Sequence, residues 1–245
     1  MHITVQKLPS EIRQNVDQVA VVVDVLRATT VIATALEHRA SEVMTCVGIE
    51  EARQIAASLA EEPLLCGERF CQPIAGFDLG NSPRDYAPSV VQGRTLVMTT
   101  TNGTRAFAAA RNATRILAGA FVNRSAVAAA LRKESQVTVV CAGTDGEETE
   151  EDFLFAGALI ARVLELQKGI TLDPAAVEAV DGWQTFLSDG MSLAQKLGQS
   201  RGGRNLLLAG YLDDIEACAN VDSIAAVPFV ITRQPITLRV EPSPA

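Results

Sequence analysis

Residues 19–36, VAVVVDVLRATTVIATAL, constrain the fold more than any other stretch. Val19 to Val23 form an apolar run with no polar alternation, and such a run needs cover on both faces, as in a parallel sheet sandwiched by helices. A short polar segment with Asp24 and Arg27 follows, and a helix is predicted from Thr29 to Glu37. Residues 95–110, TLVMTTTNGTRAFAAA, repeat the plan: an apolar run, a polar segment at Thr99 to Arg105, then a helix-forming stretch. A strand that feeds straight into a helix leaves unpaired backbone N–H groups and the positive end of the helix dipole at the junction. That is a natural anion site. Two such junctions point to a phosphorylated ligand.

The rest of the chain extends this alternation. Strands are predicted at Ile3 to Gln6, Val43 to Val47, Pro63 to Cys66, Leu96 to Thr99, Ile116 to Ala118 and Val137 to Cys141. Helices are predicted at Ile49 to Ala60, Thr104 to Arg111, Ser125 to Arg132 and Phe153 to Leu166. Asp173 to Gly198 reads as two shorter helices, SRGGRNLLLAGYLDDIEAC as a helix pair, and VPFV and ITLRV as strands around Pro235. The expected fold class is α/β, with a largely parallel or mixed sheet flanked by helices. The chain is one unit, or two α/β lobes, 1–125 and 126–245, sharing a crevice. Residues 67–90 break the regularity with three Gly and three Pro, yet Phe70, Ile74, Phe77 and Leu79 argue for an ordered, functional loop.

Composition removes several function classes. With 245 residues, 48% of them hydrophobic, the chain can fill a sizeable core. No apolar run reaches the roughly 20 residues of a membrane span, and the opening lacks a signal-peptide core, so a soluble, cytoplasmic protein is expected. A formal charge of −8 with one Trp, two Tyr and eight Phe does not suit a nucleic-acid surface. Five cysteines without paired CxxC spacing read as reduced, mostly buried thiols. There is no GxxxxGK[ST] and no GxGxxG at the first helix, which disfavours a nucleotide-dependent phosphoryl transferase. Only His2 and His38 are present, so histidine-nucleophile and His-rich metal chemistry are poorly supported. Any hydrolysis would rely on carboxylates, Arg and a hard metal.

The candidate chemistry gathers at the predicted strand ends, where open α/β sheets place ligands. Asp24 is a metal ligand or nucleophile, or else an N-cap; Arg27, Thr29 and Thr30 add donors suited to an oxyanion. Thr101, Asn102, Gly103, Thr104 and Arg105 form the second anion segment, or a capped Asn-Gly turn. Glu151 and Asp152 open a strongly apolar helix and are candidates for metal or catalytic work. Glu68, Asn81 and Ser82 lie in the long loop. Gly203 and Arg204 belong to a further glycine-bearing approach to a helix.

Together, VVVDVLRATT, GERFCQPIAGFDLGNSP, TTTNGTRA, CAGTDGEETEEDFLFAG and SRGGRNLLLAG resemble the 2-phosphosulfolactate phosphatase family, in family order from about residue 20 to 230. The resemblance implies an α/β, Mg²⁺-dependent acid phosphatase that converts 2-phosphosulfolactate, or a related 2-phosphohydroxy acid, to sulfolactate and inorganic phosphate in the route to coenzyme M. Asp24, Glu151 and Asp152 would then hold Mg²⁺, Asp24, Arg27 and Glu68 would carry catalysis, and Arg27, Arg105 and Arg204 would meet the substrate's anionic groups. The competing reading is a non-catalytic small-anion binding or sensory module. A homodimer is the default expectation for assembly, and the partner is a small anionic phosphorylated substrate, with neither nucleic acid nor membrane.

Overall fold

A computed structural model describes residues 1–9 and 18–240. The strands are β1 (His2–Gln6), β2 (Gln18–Val23), β3 (Glu42–Thr45), β4 (Leu64–Arg69), β5 (Gln72–Pro73), β6 (Thr95–Thr99), β7 (Arg115–Gly119), β8 (Gln136–Cys141), β9 (Thr171–Leu172), β10 (Pro228–Arg233) and β11 (Ile236–Val240). The helices are α1 (Ala28–Glu37), α2 (Ile49–Ser58), α3 (Pro88–Val91), α4 (Gly103–Ala110), α5 (Arg124–Ala130), α6 (Glu150–Leu166), α7 (Pro174–Ser188), α8 (Leu193–Gln199), α9 (Arg201–Leu208) and α10 (Leu212–Cys218). The expected α/β class is the observed one.

All eleven strands join in the order β5-β4-β6-β3-β11-β10-β7-β2-β8-β1-β9. Within it, β4, β6 and β3 run parallel, and so do β7, β2, β8, β1 and β9. The C-terminal hairpin β10–β11 sits between these groups, antiparallel to β7 on one side and to β3 on the other. Strands from either side of residue 125 interleave, because β8 lies between β2 and β1.

The valine run behaves as its composition demands. Val19, Val21 and Val23 of β2 pack with Phe121, Phe155 and Trp183 on one face, while Ala20 and Val22 pack with Ile32 and Phe107 on the other. The second face also gathers Val43 of β3, Leu96 and Met98 of β6, Ile116 of β7 and Leu238 of β11 around α1 and α4. Strands far apart in the sheet order therefore share one core, and the sheet curls about these two helices. This curl brings the carboxyl end of β6 beside that of β2. Among the described residues no helix is long and apolar enough to cross a membrane. Cys46, Cys66, Cys141 and Cys218 are buried free thiols, and Cys71 is partly buried.

Candidate active site

A cavity of about 450 Å³ opens where β2, β4, β6 and β8 end. Its walls include Asp24, Arg27, Glu68, Asn81, Thr101, Asn102, Asp145, Gly202 and Asn205, with Phe70, Leu206 and Leu208 as apolar lining. Asp24 follows β2 directly. Its Oδ1 accepts a 3.3 Å hydrogen bond from the N–H of Ala28, the first residue of α1, whose N-cap position is Arg27 and not Asp24, and its carboxylate also faces the cavity. Burial pushes Asp24 up to about 7; Glu68 and Glu151 push the same way, while the Ala28 N–H and Arg27 oppose. Gly103, at the start of α4, presses against this carboxyl. A Cβ there would lie 2.7 Å from Asp24 Oδ2 and 2.6 Å from Ala28 Cβ, so only glycine permits the approach.

Arg27 is buried against several partners at once. Its Nη1 donates to Asp214 Oδ2 at 2.5 Å, its Nη2 donates to the Cys71 carbonyl at 3.1 Å, and its guanidinium carbon lies 4.4 Å from the centre of the Tyr211 ring. Ser82 Oγ donates to the other Asp214 oxygen at 2.7 Å. Glu68 is fixed by backbone N–H donors from Thr101, 2.8 Å to Oε1, and Cys71, 2.9 Å to Oε2. The Asn81 Oδ1 and Thr101 Oγ1 atoms are buried with no hydrogen-bond partner, on residues that line the cavity. A buried polar atom left alone is costly, and a ligand would supply the partner.

Glu151 and Asp152 are both buried at the start of α6, but they are held differently. Asp152 accepts from the Val25 N–H at 2.9 Å and the Gly143 N–H at 3.1 Å, tying the ends of β2 and β8 together. Burial, then Asp24 and Glu151, hold its carboxyl well above the usual range. Glu151 is also raised, mainly by burial, and its Oε2 has no partner. Gly202 abuts Glu151, since a Cβ there would lie within 2.2 Å of Oε1. The unmet Glu151 oxygen and the mutual repulsion of Asp24, Glu151 and Asp152 would both be relieved by a hard cation. Among the described residues no three His, Cys, Asp or Glu side chains converge as a complete metal cage. Mg²⁺ would need no such cage, since it retains waters and takes one or two carboxylates beside a substrate phosphate.

Other expected contacts fall outside the cavity wall, each for a local reason. The Thr29 and Thr30 hydroxyls donate at 2.8 and 2.9 Å to the Asp24 and Val25 carbonyls, and Thr104 Oγ1 donates to Thr100 at 2.9 Å. Ser82 reaches the site only through Asp214. Arg105 is exposed, because α4 turns Ala106, Phe107 and Ala110 inward. Arg204 is exposed and donates to the Gln199 carbonyl. Gly203 serves helix packing: a Cβ would lie 1.9 Å from the Leu197 carbonyl oxygen. Its neighbour Gly202 is the glycine on the cavity. Sequence reasoning missed Asp214 and Tyr211, which are remote from the other site residues along the chain, Asp214 lying 187 positions after Arg27. The only signal was the YLDD segment at a helix start, which says nothing about its partner.

A crevice of carboxylates and one anchored arginine at the carboxyl edge of an α/β sheet is the architecture of a small-molecule enzyme acting on an anion. The model of the 2-phosphosulpholactate phosphatase family matches residues 4–233, and the chain belongs to this family of phosphoric monoester hydrolases. It is 44% identical over 213 residues to a probable 2-phosphosulfolactate phosphatase of Parasynechococcus marenigrum (strain WH8102), covering 85% of this chain and 87% of the relative. A protein of the same description from Caldanaerobacter subterraneus subsp. tengcongensis is 40% identical over 212 residues, covering 85% and 86%. One from Synechococcus sp. (strain CC9605) is 38% identical over 234 residues, covering 93% and 96%.

Proposed function

We propose that this protein is a Mg²⁺-dependent phosphatase that hydrolyses 2-phosphosulfolactate, or a closely related 2-phosphohydroxy acid, to the free hydroxy acid and inorganic phosphate. The carrying observation is that Asp24, Glu68 and Arg27 share one cavity whose carboxylates outnumber its cations. Such a cavity repels a phosphate ester unless a cation enters with it. Asp24 and Glu151 would hold Mg²⁺, with Asp152 fixed beside them by two backbone donors. When bound, the metal would neutralise phosphoryl charge and favour in-line attack.

The protein's own groups do the rest. Arg27 holds non-bridging phosphoryl oxygens with the N–H groups that Asp214 and Cys71 leave free. The Thr101 hydroxyl, without an internal partner, offers a hydrogen to one of the substrate's remaining oxygens, while Asn81 Oδ1, an acceptor, would take a hydrogen from a protonated substrate oxygen or a bound water. Water supplies the new P–O bond and the ester P–O bond breaks, so one proton must reach the leaving alkoxide. Glu68 is the carboxyl assigned to that transfer. The reduced thiols suit the cytoplasm as the place of work.

The test is phosphate release by purified protein from 2-phosphosulfolactate and a panel of 2-phosphohydroxy acids, with Mg²⁺ and with chelator. Metal-dependent release that is fastest with 2-phosphosulfolactate is expected. Release of equal rate in excess chelator removes the metal, and no release from any compound by folded protein removes the phosphatase.

A further inference from the structure

We propose that Asp214 is a positioning residue for the reaction, holding Arg27 in the single orientation that presents its guanidinium to the phosphoryl group. Both side chains are 2% exposed, and the pair joins the start of α1 to α10. A guanidinium carries five N–H donors in a fixed plane, so its aim is set once its edge and face are engaged. Asp214 takes an Nη1 hydrogen, the Cys71 carbonyl takes one from Nη2, and Tyr211 covers a face at 4.4 Å. Two separate chain segments, the start of α10 with Tyr211 and Asp214 and the loop holding Cys71, thus determine the plane, and the remaining donors are left for the cavity that Arg27 lines.

Asp214 is itself oriented. Its second oxygen accepts from Ser82 at 2.7 Å, so the long loop after β4 and the helix α10 are joined at this carboxylate. Ser82 satisfies the second Asp214 oxygen, as a buried carboxylate requires, and in doing so fixes the rotation of the carboxylate that meets Arg27. The arrangement is a chain, Ser82 to Asp214 to Arg27, that ends at the site where a phosphoryl group would sit. Asp214 touches no substrate and acts through Arg27.

The inference rests on the phosphatase reading for its substrate, and its test separates the two. A double-mutant cycle of Arg27→Lys and Asp214→Asn in the full chain reads kcat and KM for ester hydrolysis, and also the Kd of inorganic phosphate by calorimetry, both with Mg²⁺. Each single change is expected to lower kcat/KM by about 100-fold, and the double change by no more, since misaiming a contact already lost removes nothing further. The phosphate Kd should weaken in the same non-additive pattern. Losses that multiply, or a folded Asp214→Asn protein with parental kcat/KM and phosphate affinity, overturn the proposal. Ser82→Ala keeps both charges and decides the matter if Asp214→Asn does not fold. It should cost about 10-fold in kcat/KM and in phosphate affinity, and parental values in both overturn the proposal. A parental protein that binds phosphate but hydrolyses no ester defeats the phosphatase reading alone, and the phosphate Kd cycle then judges Asp214. A parental protein that does neither overturns both.

Discussion

At Asp24, burial and neighbouring carboxylates favour the protonated form while the Ala28 N–H and Arg27 favour the charged one, and the balance leaves the group near neutrality. Asp24→Asn keeps the shape and removes the charge. It should lower phosphate release by about 1,000-fold, while the thermal midpoint of metal-free protein at pH 8 stays level or rises, because a buried charge has been removed. A midpoint well below the parental one would mean that the carboxylate holds α1 in place. Gly103→Ala tests the other side of the same contact. Its added methyl meets Asp24 and Ala28 inside normal contact distance, so a destabilisation of about 1–3 kcal/mol should appear in urea titration, together with reduced turnover. Glu68→Gln probes the proton. A general acid matters for a poor leaving group and little for a good one, so the variant should lose about 100-fold on an alkyl phosphate and far less on p-nitrophenyl phosphate. Equal losses on the two esters would assign Glu68 to binding instead.

At the scale of the elements, the strand–helix alternation was legible because β-branched runs buried on both faces have few alternative homes. The place of the last two strands was not. VPFV and ITLRV read correctly as strands, yet nothing local in residues 228–240 says that Phe229 pairs with Leu117 or that Leu238 pairs with Val43. That register is a tertiary fact. The same limit governs the site. Asp24, Arg27, Glu68, Asn81, Thr101 and Asn102 were legible because they end strands or lie in the long loop that follows one. The hydroxyls of Thr29, Thr30 and Thr104 looked like ligand donors, but a hydroxyl at a helix start readily bonds a carbonyl about a turn behind it. Arg204 lies outside the cavity wall, to which α9 and its end contribute Gly202, Asn205, Leu206, Leu208 and Ala209. The central hairpin makes a prediction of its own. It is the link between the two parallel groups, so a chain ending at residue 227 should lose cooperative unfolding and near-ultraviolet dichroism. A truncated protein that retains both would show that the two groups hold together without it.

At the scale of the whole molecule, carboxylates raised by burial make stability depend on pH in a definite direction. Asp24 moves from 3.8 unfolded to about 7 folded, and Glu151 and Asp152 move the same way. Between the unfolded and folded values the native state binds more protons than the unfolded chain, so stability falls as pH rises. The contribution is fully present below the ordinary carboxylate range and is lost as pH climbs through about 7 for Asp24. The overall charge of −8 adds repulsion in the same direction. Asp222 opposes it: burial raises it, but Ser125 and Arg124 prevail and leave it lowered, so its contribution is lost only as pH falls through the acid range. Metal-free protein should therefore melt at a higher temperature at pH 5.5 than at pH 8. Mg²⁺ binds the ionised form of these carboxylates, so it should raise the midpoint at pH 8 and have little effect at pH 5.5. Scanning calorimetry at both pH values, with chelator and with Mg²⁺, gives four midpoints. A metal-free midpoint that increases from pH 5.5 to 8 would contradict the raised carboxylates. A Mg²⁺ effect equal at both pH values would place the cation somewhere other than the Asp24 and Glu151 oxygens.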